Sequence, residues 1–127
     1  MPIRSPPTMK HIRVKRAYDE PAEDDGVRIL VDRLWPRGLA KGQAAVDLWL
    51  KDLAPSTALR RWFNHKPTKW AEFRRRYAGE LDAKDRTIAA LRGAARSGRV
   101  TLLFSARDTK HNHAVALEEY LARHRGA

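Results

Sequence analysis

Apolar positions change period several times along this chain, and each change predicts an element. "HIRVKRAY" alternates Ile12 and Val14 with basic residues, the two-residue period of a strand with one solvated face. "DEPAEDDG" shows no apolar period. Pro21 and Gly26 mark it as a loop, and its acids make it the main negative segment. "VRILVD", residues 27–32, predicts a second strand. From "AKGQAAVDLWLKDL" to Ser97 the chain reads helical, with Ser56 placed to cap a short helix. Trp70, Phe73, Tyr77 and Leu81 recur at i, i+3, i+7 and i+11, one apolar stripe, and Ile88, Leu91 and Ala95 continue the spacing. "SGRV" breaks it. "RVTLLFSA" is then uninterruptedly apolar, as a central parallel strand is. "RDTKHNHAVALEEYLARH" predicts a helix capped by Asp108 or Thr109 and facing inward through Ala114, Leu117 and Leu121.

Strand, strand, helices, strand, helix is an α/β order. The long crossover before the last strand permits parallel pairing, so a small, mostly parallel sheet of about three or four strands flanked by helices is expected. A further short strand or an oligomer edge would complete it. At 127 residues the chain suits one α/β domain over 10–127, preceded by a flexible arm over 1–9, "MPIRSPPTM".

Charge changes the picture. There are 26 Lys and Arg against 15 Asp and Glu, a net +11, which invites polyanions by long-range attraction and counterion release. Scattered arginines on solvated helix faces give the same total, and no RNA-recognition or zinc-finger signature stands beside it. Cysteine is absent, which excludes disulfides and thiol chemistry. No P-loop or GxGxxG is present, and no cofactor is expected. The N-terminus has no apolar signal core, and no apolar run approaches the roughly 18 residues of a membrane span. A cytoplasmic monomer or homodimer without membrane contact is expected, the acidic loop being a candidate contact for another copy's basic face.

Parallel sheets bind ligands beyond the carboxyl ends of their strands. Two polar constellations fall there. After the second strand stand Asp32, Arg33, Trp35 and Arg37, around Pro36 and Gly38. After the third stand Ser105, Arg107, Asp108, Lys110, His111, Asn112 and His113. If these strands are parallel neighbours the constellations meet in one crevice, with Tyr18 and Asp19 as a third contributor. Arg33 and Arg37 offer planar donor forks to a phosphate or carboxylate, Trp35 would wall the site, and Asp32 would orient an arginine. The same residues could form a plain corner. Ser105, Arg107, Lys110 and the amides near Thr109–His111 would form an anion seat at a helix N-terminus, with Asn112 bonding across the crevice. Asp32, Asp108 and His111 are the candidates for proton transfer, histidine having an ordinary pKa of about 6.5.

Other chemistries fit less well. Two residues apart on a helix, His111 and His113 would point about 200° from each other, so no metal site is expected. Ser105 lacks the glycine-flanked elbow of a serine nucleophile. Trp49, Trp62 and Trp70 read as packing, "RRR" at 74–76 as a solvated face, and His65 as a helix-end residue.

The elements "DRLWPRG" and "SARDTKHNHA", within a pattern running from about Lys10 to His124, resemble the domain-of-unknown-function 488 family in its YeaO-like branch. The resemblance implies a small α/β fold and no settled activity. Other members of the wider family carry a C-x-E-K/D…C-H-R pattern where this chain has S-A-R-D…H-N-H, so Ser105 takes the position of a thiol and thiol chemistry does not carry over. The aligned positions imply a shared pocket around Ser105, Asp108, His111 and Asn112. Two functions are therefore expected to compete: a polar crevice for a small anionic ligand, catalytic or not, and a basic nucleic-acid-binding module.

Overall fold

The computed structural model describes residues 11–123; the arm over 1–9 lies outside them. Four strands, β1 (Ile12–Arg16), β2 (Val27–Leu30), β3 (Leu48–Trp49) and β4 (Val100–Phe104), form one sheet in the order β1-β4-β2-β3. Every pair is parallel. The helices are α1 (Lys41–Ala44), α2 (Thr57–Phe63), α3 (Trp70–Asp82), α4 (Asp85–Ser97) and α5 (His113–Arg123). The last strand in sequence is central in space, Val100 standing opposite both Ile12 and Val27. All of β4 is buried, which is why its sequence is apolar without alternation.

On one face, Ile12, Ile29, Val100, Leu102 and Phe104 pack against the predicted stripes: Phe73, Tyr77 and Leu81 of α3, Ile88, Leu91 and Ala95 of α4, and Leu117 and Leu121 of α5. Trp70, at the end of its stripe, is only partly buried. Ser56 caps α2 as expected, its Oγ accepting the Leu59 N–H at 3.1 Å. On the other face, Ala17, Leu30 and Leu103 meet Trp35, Leu39, Val46 and Trp49 in a smaller cluster.

Two expectations change. The stretch from Ala40 is not continuously helical: α1 ends after Ala44 at Ala45, which has φ 49°, and Leu48–Trp49 pairs with Ile29–Leu30. The Asp47 N–H donates to the Arg28 carbonyl at 2.8 Å, the Leu50 N–H to the Leu30 carbonyl at 2.9 Å, and the Arg28 N–H to Asp47 Oδ2 at 2.9 Å. Sheet pairing here overrides helix propensity. This is the further short strand the sheet needed.

The acidic loop, in turn, is only partly a surface patch. Asp25 is fully buried beneath the sheet's polar face, where Arg13 (2.9 Å), Lys15 (3.0 Å) and Arg28 (2.5 Å) converge on its carboxylate. Arg28 also donates to the Ala44 and Ala45 carbonyls, which ties α1 to the same hub. Burial alone would raise the Asp25 carboxyl; the Ala22 amide, Lys15 and Arg28 together hold it well below the ordinary carboxylate range. Gly26, at φ 67°, is required beside it, because a Cβ there would collide with the Arg99 carbonyl. Among the described residues no helix is long and apolar enough to cross a membrane.

Candidate functional site

Because β2 and β4 are parallel neighbours, the segments leaving Leu30 and Phe104 emerge side by side, held by the Val31 N–H to the Leu103 carbonyl at 3.1 Å. Asp32 and Ser105 therefore meet. The Ser105 hydroxyl donates to Asp32 Oδ2 at 2.6 Å and the Ser105 amide to the same oxygen at 3.0 Å. Arg16, ending β1, fixes this corner through the carbonyls of Ser105 and Ala106, each at 3.0 Å.

His113 completes the group. Its Nε2 lies 3.0 Å from Asp32 Oδ1 and 3.0 Å from the Val31 carbonyl. Both oxygens only accept, so a protonated Nε2 stands within hydrogen-bonding reach of the Asp32 carboxylate and the Val31 carbonyl alike. Asp32 is 8% exposed. Burial pushes its carboxyl up, but the His113 ring and the Ser105 hydroxyl and amide outweigh that, and the group sits below the ordinary carboxylate range. Asp32 was expected to orient Arg33 or Arg37; it pairs with neither, being engaged by Ser105 and His113.

The second constellation divides. Asp108 Oδ1 accepts the Lys110 and His111 amides, each at 2.9 Å, and Oδ2 faces His111 Nδ1 at 3.0 Å. Those two amides, and then the ring, hold the Asp108 carboxyl down at about 2. The expected anion seat on these amides is thus filled by the protein's own carboxylate. Helix α5 starts only at His113, and its cap is Asn112, whose Oδ1 accepts the Val115 N–H at 3.0 Å while its Nδ2 donates to the Asp108 carbonyl at 2.9 Å. Asn112 lines the crevice with both polar ends engaged in its own loop. Arg107 and Lys110 are exposed and stand outside the crevice lining. His111 remains on the wall, its ring edge-on to Trp70 at 5.3 Å. His111 and His113 turn to different carboxylates, and among the described residues no group of three or more His, Asp or Glu could hold a metal ion.

"DRLWPRG" proves to be a built corner. The Trp35 indole donates to the Leu39 carbonyl at 2.7 Å and stands edge-on to Trp49 at 5.5 Å; the Trp49 indole donates to the Asp32 carbonyl at 2.8 Å. Tyr18 Oη donates to the Arg37 carbonyl at 2.8 Å, and Gly38 takes φ 76°. The backbone is fastened on every side, and the two guanidiniums are left outward. Arg33 reaches only the Pro55 carbonyl, at 3.3 Å.

The corner is also one wall of a crevice of about 600 Å³. Asp32, Arg33, Trp35, Arg37, Ser105, His111 and Asn112 all line it, and so does Tyr18. So do three polar residues that the sequence did not single out, Arg60 and Arg61 on α2 and Asn64, and so does His113, which stood in the second constellation without an assigned role. His65 lines it too, directly after Asn64, and both adopt left-handed backbone, φ 47° and 54°, which turns the end of α2 over the opening. No ion pair joins Arg33, Arg37, Arg60 or Arg61 to a described residue. His113 had a readable signal: positions 113, 117 and 121 share a helical face, so the inward stripe of α5 extended back one turn lands on it.

With this geometry in place, relatives become informative. A family profile described as "Inactive DUF488-N3 subclade" matches residues 11–125. The chain is similar to "Uncharacterized protein YeaO" of Escherichia coli, 43% identical over 111 residues, 87% of this chain and 96% of that one. It is similar also to "Uncharacterized protein Rv3073c" of Mycobacterium tuberculosis and "Uncharacterized protein Mb3100c" of Mycobacterium bovis, each 40% identical over 110 residues, 87% of this chain and 92% of theirs. No solved structure matches. The chain belongs to the DUF488 family, in its YeaO-like branch.

Proposed function

We propose that the crevice at the carboxyl ends of β1, β2 and β4 binds a small anionic ligand, a phosphate or a carboxylate, and holds it without turning it over. One observation carries this. Arg33, Arg37, Arg60, Arg61, His65, His111 and His113 surround an opening whose lining contains a single carboxylate, Asp32, already engaged by Ser105 and His113. The guanidiniums form no ion pair with a described residue, so an incoming anion displaces no internal carboxylate.

Binding without turnover is supported by the family description, and the two carboxylates contribute no base of their own. Asp32 and Asp108, the carboxylates that would move protons, are both held below the ordinary range and are weak bases near neutrality. Their contacts are those of orienting groups, for Ser105 and His111 respectively, and His111 is the remaining proton-transfer candidate on the crevice wall. The matching profile is, besides, described as inactive.

Thermal melting against inorganic phosphate, acetate and short single-stranded RNA tests the proposal. Ligand at about 100 times its Kd adds about 2.7 kcal/mol, a rise of several degrees. A phosphate- or acetate-dependent rise in wild type, much reduced in Arg37→Ala, is expected. Stabilisation by RNA alone, unchanged in Arg37→Ala and erased by salt, would transfer the function to the net charge and make this a nucleic-acid-binding module.

A further inference from the structure

The size and lining of the crevice say more about the ligand than its charge does. A volume of about 600 Å³ lies in the range of pockets that enclose drug-sized organic molecules, roughly 300–1,000 Å³. Inorganic phosphate is comparable to only a few waters, at ~30 Å³ each in the liquid, and would leave most of the space unfilled. The wall that it would leave bare is chiefly apolar: Leu34, Trp35, Pro36, Pro55 and Phe63 alternate with the arginines, and apolar atoms make up the larger part of the exposed lining.

A second observation points the same way. Three large hydrophobic residues are exposed among the described residues, Tyr18, Leu34 and Leu48, and two of them, Tyr18 at 40% and Leu34 at 70%, stand at this one opening. Neither belongs to the packed clusters beneath. Single exposed leucines are ordinary; a leucine and a tyrosine beside unpaired guanidiniums form a surface with both an apolar and a cationic half. Trp35 is already fixed by the Leu39 carbonyl and the Trp49 ring, so contact with it requires little further ordering.

We infer that the ligand is an organic anion: one phosphate or carboxylate, held by the arginines at the rim, on an apolar body that lies against Leu34, Tyr18 and Trp35. This rests on the anion-binding proposal and narrows it. Covering an apolar body with that wall adds affinity that the bare anion lacks.

Calorimetric titration of the intact chain with matched probes tests the inference. The pairs are inorganic phosphate against phenyl phosphate, and acetate against benzoate, with benzyl alcohol as the uncharged body. The expected result is that phenyl phosphate or benzoate binds at least about tenfold more tightly than its small counterpart, while benzyl alcohol binds far more weakly. The ratio should fall toward one in Leu34→Ser, whose site is exposed enough that folding is unaffected. Whichever pair shows the gain names the head group. Equal affinities for phosphate and phenyl phosphate, and for acetate and benzoate, would overturn the inference and leave the anion proposal standing. Benzyl alcohol binding as tightly as phenyl phosphate and benzoate would also overturn it, since charge would then contribute nothing. Binding of none of the probes would remove the anion proposal itself.

Discussion

Asp25 and Asp32 are the same residue type on the same sheet, and they have opposite consequences. Asp25 is sealed under the sheet's polar face, and two guanidiniums and an ammonium satisfy it. It closes a hub that ties the 19–26 loop, β1, β2 and α1 together. Asp32 lies at the carboxyl edge of the sheet with one histidine and one serine, and the arginines around it bind elsewhere or to nothing described. A carboxylate that consumes all the nearby cations makes structure. One that leaves several cations unmatched around an opening makes a site. What distinguishes a core ion cluster from a binding crevice is thus the number of partners left over.

That contrast can be broken most forcefully at Asp25. Asp25→Ala leaves Arg28 buried without its counter-charge and should lower stability by about 3–5 kcal/mol, read by urea denaturation. A loss below about 1 kcal/mol would mean that the hub is not structural.

Asp32→Asn should cost less, about 1–3 kcal/mol, because it weakens the contacts to Ser105 and His113 but strands no buried guanidinium. This loss depends on pH. Asp32 has a folded-state pKa below its unfolded value of about 3.9, so its stabilisation is fully present above that value and disappears as pH falls through the folded pKa. Melting curves of wild type and Asp32→Asn should therefore be parted at pH 7 and converge below about pH 4. A gap that widens in acid would contradict the assignment.

The smallest effects on stability belong to the rim. Arg37→Ala and Arg61→Ala remove exposed side chains with no ion pair and should change stability by no more than about 0.5 kcal/mol. Each should still weaken phosphate binding about tenfold, by loss of a charge-assisted contact. If either variant melts several degrees lower without ligand, that arginine belongs to the corner and not to the site.

Much of this could be read from residue order. The apolar run of β4, the stripes of α3 and α4 and the turn at Gly38 follow local rules, and parallel pairing of β2 with β4 was enough to bring Asp32 to Ser105. Elements decided at a distance were hidden. Leu48–Trp49 sits in a helix-like sequence and becomes a strand only because the edge of β2 needs a partner. Asp25 lies in an acidic loop that looks solvated, and only the sheet packing shows which of its acids turns inward. Arg60 and Arg61 reach the crevice through the packing of α2 on α3, which no spacing along the chain encodes. Asp108 was legible as a capping residue, but the helix it seemed to cap begins five residues further on, at His113, behind Asn112.

The most direct test of the central claim is a two-dimensional amide NMR titration of the isotopically labelled protein with inorganic phosphate at physiological salt. Saturable shifts are expected, confined to Asp32–Arg37, Arg60–His65 and Ser105–His113, which are distant in sequence and joined only at the crevice, and largely absent in Arg37→Ala. Shifts spread over the basic surfaces of α3 and α4, non-saturating and abolished by added salt, would show that the charge acts without a site and would contradict it.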